Sequence, residues 1–173
     1  MALCLLFLAG KCDKPKGPEP PDNETELITT VKLNFQDSMN TLPAFSVQWK
    51  DLDGVGGNNP TIDTIRLQAQ TGYTVNIDFL DESKYTAENI TDEVRDEDDE
   101  HMICFEPDKT GMLFIQRKDS DGNFEVGLVS GWNALGVNTG GIRIYLKHQP
   151  GVKDGTCTPG ETDVDVTFPL EIM

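Results

Sequence analysis

Alternation of apolar and polar residues is the dominant pattern of this chain from residue 26 onward. In Thr29–Phe35 and Phe45–Lys50, apolar side chains stand at every second position, which is typical of β-strands with one face in a core. Further short runs with strand character follow at residues 62–69, 73–79, 102–106, 111–116, 124–131, 141–147 and 163–170. The pattern predicts about eight or nine strands, with turns at the Gly, Asn and Asp residues between them.

Such regularly spaced strands predict an all-β fold, and we expect an antiparallel, immunoglobulin-like β-sandwich of about eight strands rather than a barrel. Gln70–Gly72 and Arg117–Asn123 are expected to close hairpins. Pro169 cannot donate to a neighbouring strand, which predicts that the last strand lies at a sheet edge. Only residues 86–100 break the alternation, and Thr86–Val94 is expected to form one or two helical turns. The side chains expected in the core are Val31, Leu33, Phe35, Phe45, Val47, Trp49, Leu67, Val75, Ile77, Phe79, Phe114, Leu128, Ile142, Ile144, Val166 and Phe168.

Differences in composition divide the chain into three parts. Residues 1–11 are a short apolar run typical of a lipoprotein export signal, and they are too few to span a bilayer, which needs about 20 residues. Cys12 is then the expected lipidation site, and residues 12–25, rich in proline, are expected to form a flexible tether. Residues 26–173 have the length of one ordinary domain.

The signal departs from the usual pattern in two respects. The start of the signal, Met1–Leu3, contains no basic residue, which is consistent with a true start farther upstream. Lys11 stands where a signal peptidase prefers a small uncharged residue before the cysteine. The alternative interpretation is an apolar stub with an ordinary thiol at Cys12.

Charge narrows the range of partners. The chain has 30 acidic and 14 basic side chains, for a formal net charge of -16. A surface of this sign repels nucleic acids and anionic lipid head groups, so we expect no nucleic-acid partner. Cationic partners, including metal ions, are compatible with it.

The two cysteines of the presumed domain, Cys104 and Cys157, have two interpretations. In an oxidising compartment they can join in a disulfide, and otherwise Cys104 is a small apolar core residue and Cys157 a loop residue. The sequence leaves both open, since pairing depends on distance. A metal site built on these two cysteines is a weaker alternative, because there is no Cys-x-x-Cys motif and His101 and His148 have unlike sequence surroundings.

Two loops carry oxygen donors at alternate positions, as calcium loops do. The first contains Asp51, Asp53 and Asn58 among glycines, and the second contains Asp119 and Asp121 at a hairpin tip. Oxygen ligands of this kind suit Ca²⁺. The alternative is that these side chains bond their own backbone within ordinary turns.

Other candidate sites are weaker. Residues 92–101 crowd acidic side chains and end in His101, which predicts a solvated loop or, alternatively, a contact for a cation or a basic partner. Trp132, between Gly131 and Asn133, is a candidate platform for ligand stacking. The serines lack a nucleophile-elbow context and the chain has only 2 histidines, so we do not expect an enzyme.

Several segments, taken with the lipoprotein-like start and proline-rich tether, carry a family resemblance: Trp49–Gly54, Gly56–Asn58, Leu80–Ser83, Leu146–Gly151 and Gly160–Phe168. Together they resemble a family of small exported lipoproteins of Bacteroidetes, which has no defined activity and is sometimes labelled periplasmic-binding-like. That label does not fit a chain without alternating strands and helices. The resemblance implies export and a similar fold, and it transfers no activity.

The sequence therefore predicts a lipid-anchored binding or accessory protein of the cell envelope, at the periplasmic or surface face of the outer membrane. One expected partner is an outer-membrane nutrient transporter. The alternative is a structural or adhesive β-sandwich stabilised by calcium.

Overall fold

A computed structural model describes residues 26–54, 56–109 and 111–173. The predicted signal (1–11), the tether (12–25) with the lipidation site Cys12, and Val55 of the first acidic loop lie outside these ranges. The described chain forms one helix, α1 (Ile90–Asp96), and eleven strands. The strands are β1 (Thr30–Asp37), β2 (Phe45–Lys50), β3 (Thr61–Ile62), β4 (Ile65–Leu67), β5 (Thr71–Asp81), β6 (Glu88–Asn89), β7 (His101–Pro107), β8 (Leu113–Arg117), β9 (Val129–Ala134), β10 (Asn138–His148) and β11 (Glu161–Ile172).

The strands form two sheets that pack face to face. The first has the order β3-β2-β1-β5-β9-β8, with β6 also paired to β5, and the second has the order β4-β11-β10-β7. All neighbours are antiparallel except β4 and β11, which run parallel. The predicted all-β, largely antiparallel sandwich with one short helix is confirmed. Strands β3, β4 and β6 have only two or three residues, so the number of longer strands matches the expected eight.

Large aromatic side chains join the two sheets at the centre of the core. Trp132 of β9 is fully buried, with its ring edge-to-face against Phe35 of β1 at 5.4 Å and Phe105 of β7 at 5.8 Å between centroids. Its indole N–H donates to the Oγ of Ser130 at 2.9 Å, so the polar atom is satisfied inside the core. The expectation that Trp132 offers a surface for ligand stacking is therefore wrong.

Fifteen of the sixteen residues expected in the core are buried or half-buried, and Phe114 is the exception, with 57% of its surface exposed. Its neighbours Leu113 and Ile115 face inward instead. Four consecutive apolar residues, 112–115, leave the phase of the alternation ambiguous, and a shift by one residue moves a side chain to the other face.

The expected hairpin at Gln70–Gly72 is also wrong. Strand β4, which precedes this turn, belongs to the second sheet, and β5, which follows it, belongs to the first. Gln70 has a positive φ of 59°, where the chain passes from one sheet to the other. By contrast, β8 and β9 do form the expected hairpin, with Leu113 opposite Ala134 and Arg117 opposite Ser130.

The last strand is an edge strand only in part. Strand β11 pairs with β10 along its length, and β4 adds to its other side only at Leu170–Ile172. Pro169 comes directly before this parallel pairing, so the N–H that proline lacks is not needed for a hydrogen bond to β4. The prediction of an edge is therefore wrong for the last three residues of the strand, which lie between two neighbours.

Helix α1 begins at Ile90, later than the expected Thr86. Ile90 and Val94 are buried, and the hydroxyl of Thr91 accepts a hydrogen bond from the Phe79 N–H at 2.8 Å, which fastens the helix to β5. In the described part of the chain, no helix has the length and apolar character needed to cross a bilayer.

Candidate functional site

The first acidic loop connects β2 to β3, and its polar atoms bond one another. Asp53 Oδ2 accepts hydrogen bonds from the Asn58 backbone N–H at 3.0 Å and from Asn58 Nδ2 at 2.6 Å, and these bonds lower the pKa of Asp53. Asp51 Oδ1 accepts from the Gly54 N–H at 3.0 Å. A Cβ at Gly57 would lie 2.4 Å from Asp53 Cγ, so the turn requires glycine there. These hydrogen bonds are those of an ordinary turn, and calcium binding by Asp51, Asp53 and Asn58 stays a prediction.

The second acidic loop lies in the β8–β9 hairpin, where Asp119 organises the backbone. Its Oδ1 accepts from the N–H groups of Gly127 at 2.9 Å and Val129 at 3.2 Å, and its Oδ2 accepts from Leu128 at 2.9 Å. Three donors thus converge on one carboxylate. Four strand spacings of the first sheet, about 20 Å, separate β2 from β8, so the two acidic loops do not form one site.

Asp121 forms a buried ion pair in the same hairpin. Its Oδ2 lies 2.8 Å from Lys153 Nζ, and each side chain is 3% exposed. Its Oδ1 accepts from the N–H groups of Asn123 at 2.6 Å and Phe124 at 2.7 Å. Burial by itself would raise the pKa of Asp121, but the Lys153 hydrogen bond and the two backbone donors outweigh it and lower the pKa to about 2.

Replacing Asp119 with Asn is expected to lower the free energy of unfolding by about 2 kcal/mol, because the Asn amide places an NH₂ group against a backbone donor. Ser120→Ala is the control, since the Ser120 hydroxyl accepts only the exposed Gly122 N–H. Urea unfolding measures the free energy of unfolding of both variants, once with calcium and once with EDTA. Equal losses in the two conditions are expected, and a loss that appears only with calcium would contradict the structural role of Asp119.

A disulfide joins Cys104 of β7 to Cys157, with 6.2 Å between the Cα atoms. Cys157 lies in the connection between β10 and β11, residues 149–160. Gln149 Nε2 donates to the carbonyl oxygens of Thr156 at 2.9 Å and Pro159 at 3.0 Å within this connection. The disulfide thus fastens an internally bonded loop to the outer face of the second sheet.

The two histidines, which have unlike surroundings in the sequence, are neighbours in the structure. His101 begins β7 and His148 ends β10, and they are directly opposite in the antiparallel ladder. Their rings stack in parallel with centroids 4.7 Å apart. Both residues are buried, and burial chiefly lowers the pKa of His101. Sequence reasoning missed this pair because it depends on the pairing of β7 with β10.

Carboxylates gather beside the histidines. Asp163 is the extra residue of a β-bulge in β11, since Leu146 pairs with Val164 and Lys147 pairs with Thr162. A bulge re-aims its side chain, and both carboxylate oxygens of Asp163 are buried. Burial raises the pKa of Asp163 to about 6, although His148 acts in the opposite direction.

Glu26 faces the same region. Burial, together with the negative charges of Glu93, Asp163 and Glu97, raises the pKa of Glu26 to about 7. Several carboxylates therefore share a partly desolvated space at the end of the sandwich next to the histidines. Lys147 and Lys153 also act on this region, and the repulsion among the carboxylates around Glu26 favours a cation there.

No model of a known protein family matches this chain, and neither does any curated protein or solved structure. The resemblance to exported lipoproteins of Bacteroidetes therefore stays a prediction.

Proposed function

We propose that this chain is a binding or accessory module of the bacterial cell envelope, rather than an enzyme, and that a lipid on Cys12 anchors it. The observation that carries the proposal is the disulfide between Cys104 and Cys157. Disulfides form and persist in the periplasm and outside the cell, and they are rare in the reducing cytosol. An apolar segment before Cys12 and a proline-rich stretch after it supply a signal and a tether for the same destination.

The compact domain fits such a role. A two-sheet sandwich with its loops fastened by a disulfide and a buried ion pair presents a rigid surface at the end of a tether. Its net charge of -16 favours cationic ligands or basic surfaces over anionic ones. An outer-membrane nutrient transporter is the partner that we propose for it.

The mass of the intact protein tests the anchor. The protein is expressed from its own gene, extracted from the membrane fraction and measured with and without reductant. We expect a chain that begins at Cys12 and carries acyl groups, with a gain of two hydrogens on reduction. A Cys12→Ser variant, which keeps the disulfide, should lack the acyl mass. Native protein recovered from the cytosol with residues 1–11 attached and Cys12 unmodified would contradict the proposal.

A further inference from the structure

The histidine pair offers a buried nitrogen lone pair that nothing in the described structure uses. His101 Nδ1 lies 3.0 Å from the Glu97 carbonyl oxygen. A carbonyl can only accept, so Nδ1 carries the hydrogen and Nε2 of the neutral ring carries the lone pair. His101 is fully buried, and its Nε2 has no hydrogen-bond partner.

One ring nitrogen of His101 donates to a backbone carbonyl and the other keeps its lone pair, as is usual for metal-binding histidines. A ligating imidazole usually donates its other N–H to a backbone carbonyl or a carboxylate, which fixes the tautomer and the orientation of the ring. Here the Glu97 carbonyl fixes His101 in that way. A buried acceptor without a donor is costly for the fold, and a bound cation would satisfy it.

Two further donor residues stand beside the His101 ring. The ligand atoms of Glu97, His101 and His148 all lie within 4.8 Å of one another. Among the residues that the structure describes, no other group of three or more His, Cys, Asp and Glu side chains comes this close. His148 Nε2 has a long contact of 3.4 Å with Glu100 Oε2, and Glu97 is exposed, which provides an entry path from solvent.

The donor atoms indicate the class of ion. Two imidazole nitrogens and one carboxylate oxygen suit Zn²⁺ and related transition metals, whereas Ca²⁺ and Mg²⁺ prefer oxygen ligands alone. Two ligands of a tetrahedral Zn²⁺ stand about 3.4 Å apart, so a shift of about 1.5 Å closes this group on an ion. The exposed Glu97 side chain can make part of that movement. Because the two rings stack in parallel, an imidazole must also rotate so that both nitrogen lone pairs point at the ion.

The Glu26 carboxylate lies close enough to interact with those of Glu93, Asp163 and Glu97. Asp163 also interacts with His148. The charge of a divalent ion would relieve the repulsion in this region.

We propose that Glu97, His101 and His148 form a binding site for a divalent transition-metal ion such as Zn²⁺, with an open position for water or for a donor from a partner. This site goes beyond the proposed envelope role and does not depend on the lipid anchor.

The test uses the full chain without a histidine tag, treated with EDTA and titrated with Zn²⁺ under oxidising conditions. Cys4→Ser and Cys12→Ser are present in all samples, because free thiols also bind Zn²⁺. We expect one Zn²⁺ per chain by calorimetry and a higher Tm. The chain has only 2 histidines, so ¹⁵N-histidine labelling reports on both rings, and Zn²⁺ should shift the Nε2 signal of His101 and one ring-nitrogen signal of His148.

Variants locate the ion. Glu97→Gln is expected to weaken Zn²⁺ binding at least about tenfold, and His148→Asn should weaken it further. Asp96→Asn is the matched control, because Asp96 is the exposed last residue of α1 and its replacement removes the same charge outside the group. It should change the affinity by less than about twofold.

Three outcomes would overturn the proposal. They are the absence of Zn²⁺ binding, binding that leaves both ¹⁵N-histidine signals unmoved, and an equal loss of affinity in Asp96→Asn and Glu97→Gln, which would indicate general charge attraction. The labelling experiment needs no substitution at the histidines, so it decides the matter even if His148→Asn fails to fold.

Discussion

Loss of the disulfide between Cys104 and Cys157 is expected to lower the free energy of unfolding by about 4 kcal/mol. The two residues are 53 positions apart in the sequence, and closing a loop of that length removes conformational entropy from the unfolded chain in about this amount. The bond also fastens the β10–β11 connection over the buried side chains of Met102 and Tyr145. Reduction should therefore expose the outer face of the second sheet in addition to its effect on the unfolded state.

Urea unfolding of Cys104→Ala/Cys157→Ala, compared with the parent chain, measures this effect. Cys4→Ser and Cys12→Ser are present in both, so that no other thiol reacts. Reductant should destabilise the parent by nearly the full amount and leave the double variant unchanged. A loss below about 1 kcal/mol in the double variant would show that the disulfide contributes little to the stability of this fold.

The second large effect is expected at the buried ion pair between Asp121 and Lys153. Lys153→Met should lower the free energy of unfolding by about 3 kcal/mol. The substitution leaves the Asp121 carboxylate buried without its cation, although two backbone donors remain. It also removes the hydrogen bond from Lys153 Nζ to the Asp98 carbonyl at 2.6 Å. That bond ties the β10–β11 connection to the segment after α1.

An exposed ion pair provides the control for this prediction. Arg66 Nε and Glu171 Oε2 lie 2.9 Å apart, but their side chains are 57% and 39% exposed. Exposed pairs of this kind contribute little, so Arg66→Met should change the free energy of unfolding much less than Lys153→Met. Equal effects in the two variants would contradict the importance of burial.

The same pair predicts a dependence on pH. The pKa of Asp121 is lowered in the folded state from 3.8 to about 2, so its stabilising contribution is complete above pH 3.8 and is lost as the pH falls towards 2. Lys153→Met should show a smaller fall in stability over this range than the parent chain. Parallel curves for the two proteins would exclude this linkage.

Much of the fold could be predicted from the sequence, because burial of one strand face imposes a period of two on the residues themselves. Val31, Leu33 and Phe35 show the pattern without ambiguity, and all three are buried. The pattern failed where it was ambiguous, as at Phe114 in a run of four apolar residues. It also failed at Gln70, since the residues of a short turn do not show whether the next strand pairs with the previous one or joins the other sheet.

The candidate site was less accessible from the sequence. The acidic loops stood out because their donors are close in sequence, yet proximity in sequence also lets those oxygens bond neighbouring backbone groups, as Asp53 and Asp119 do. His101 and His148 are far apart in sequence and meet only through the pairing of β7 with β10. Asp163 joins them through a bulge that no residue pattern indicates.

The sequence by itself determined the class of fold, the strands with clear alternation and the large negative charge. It also predicts a division of the chain into signal, tether and domain. All of these follow from properties of residues that are neighbours along the chain. Only the tertiary structure decided which cysteines join, which lysine pairs with Asp121 and which histidines stack. Those contacts depend on the order and register of strands in two sheets, which are set by packing of the whole domain.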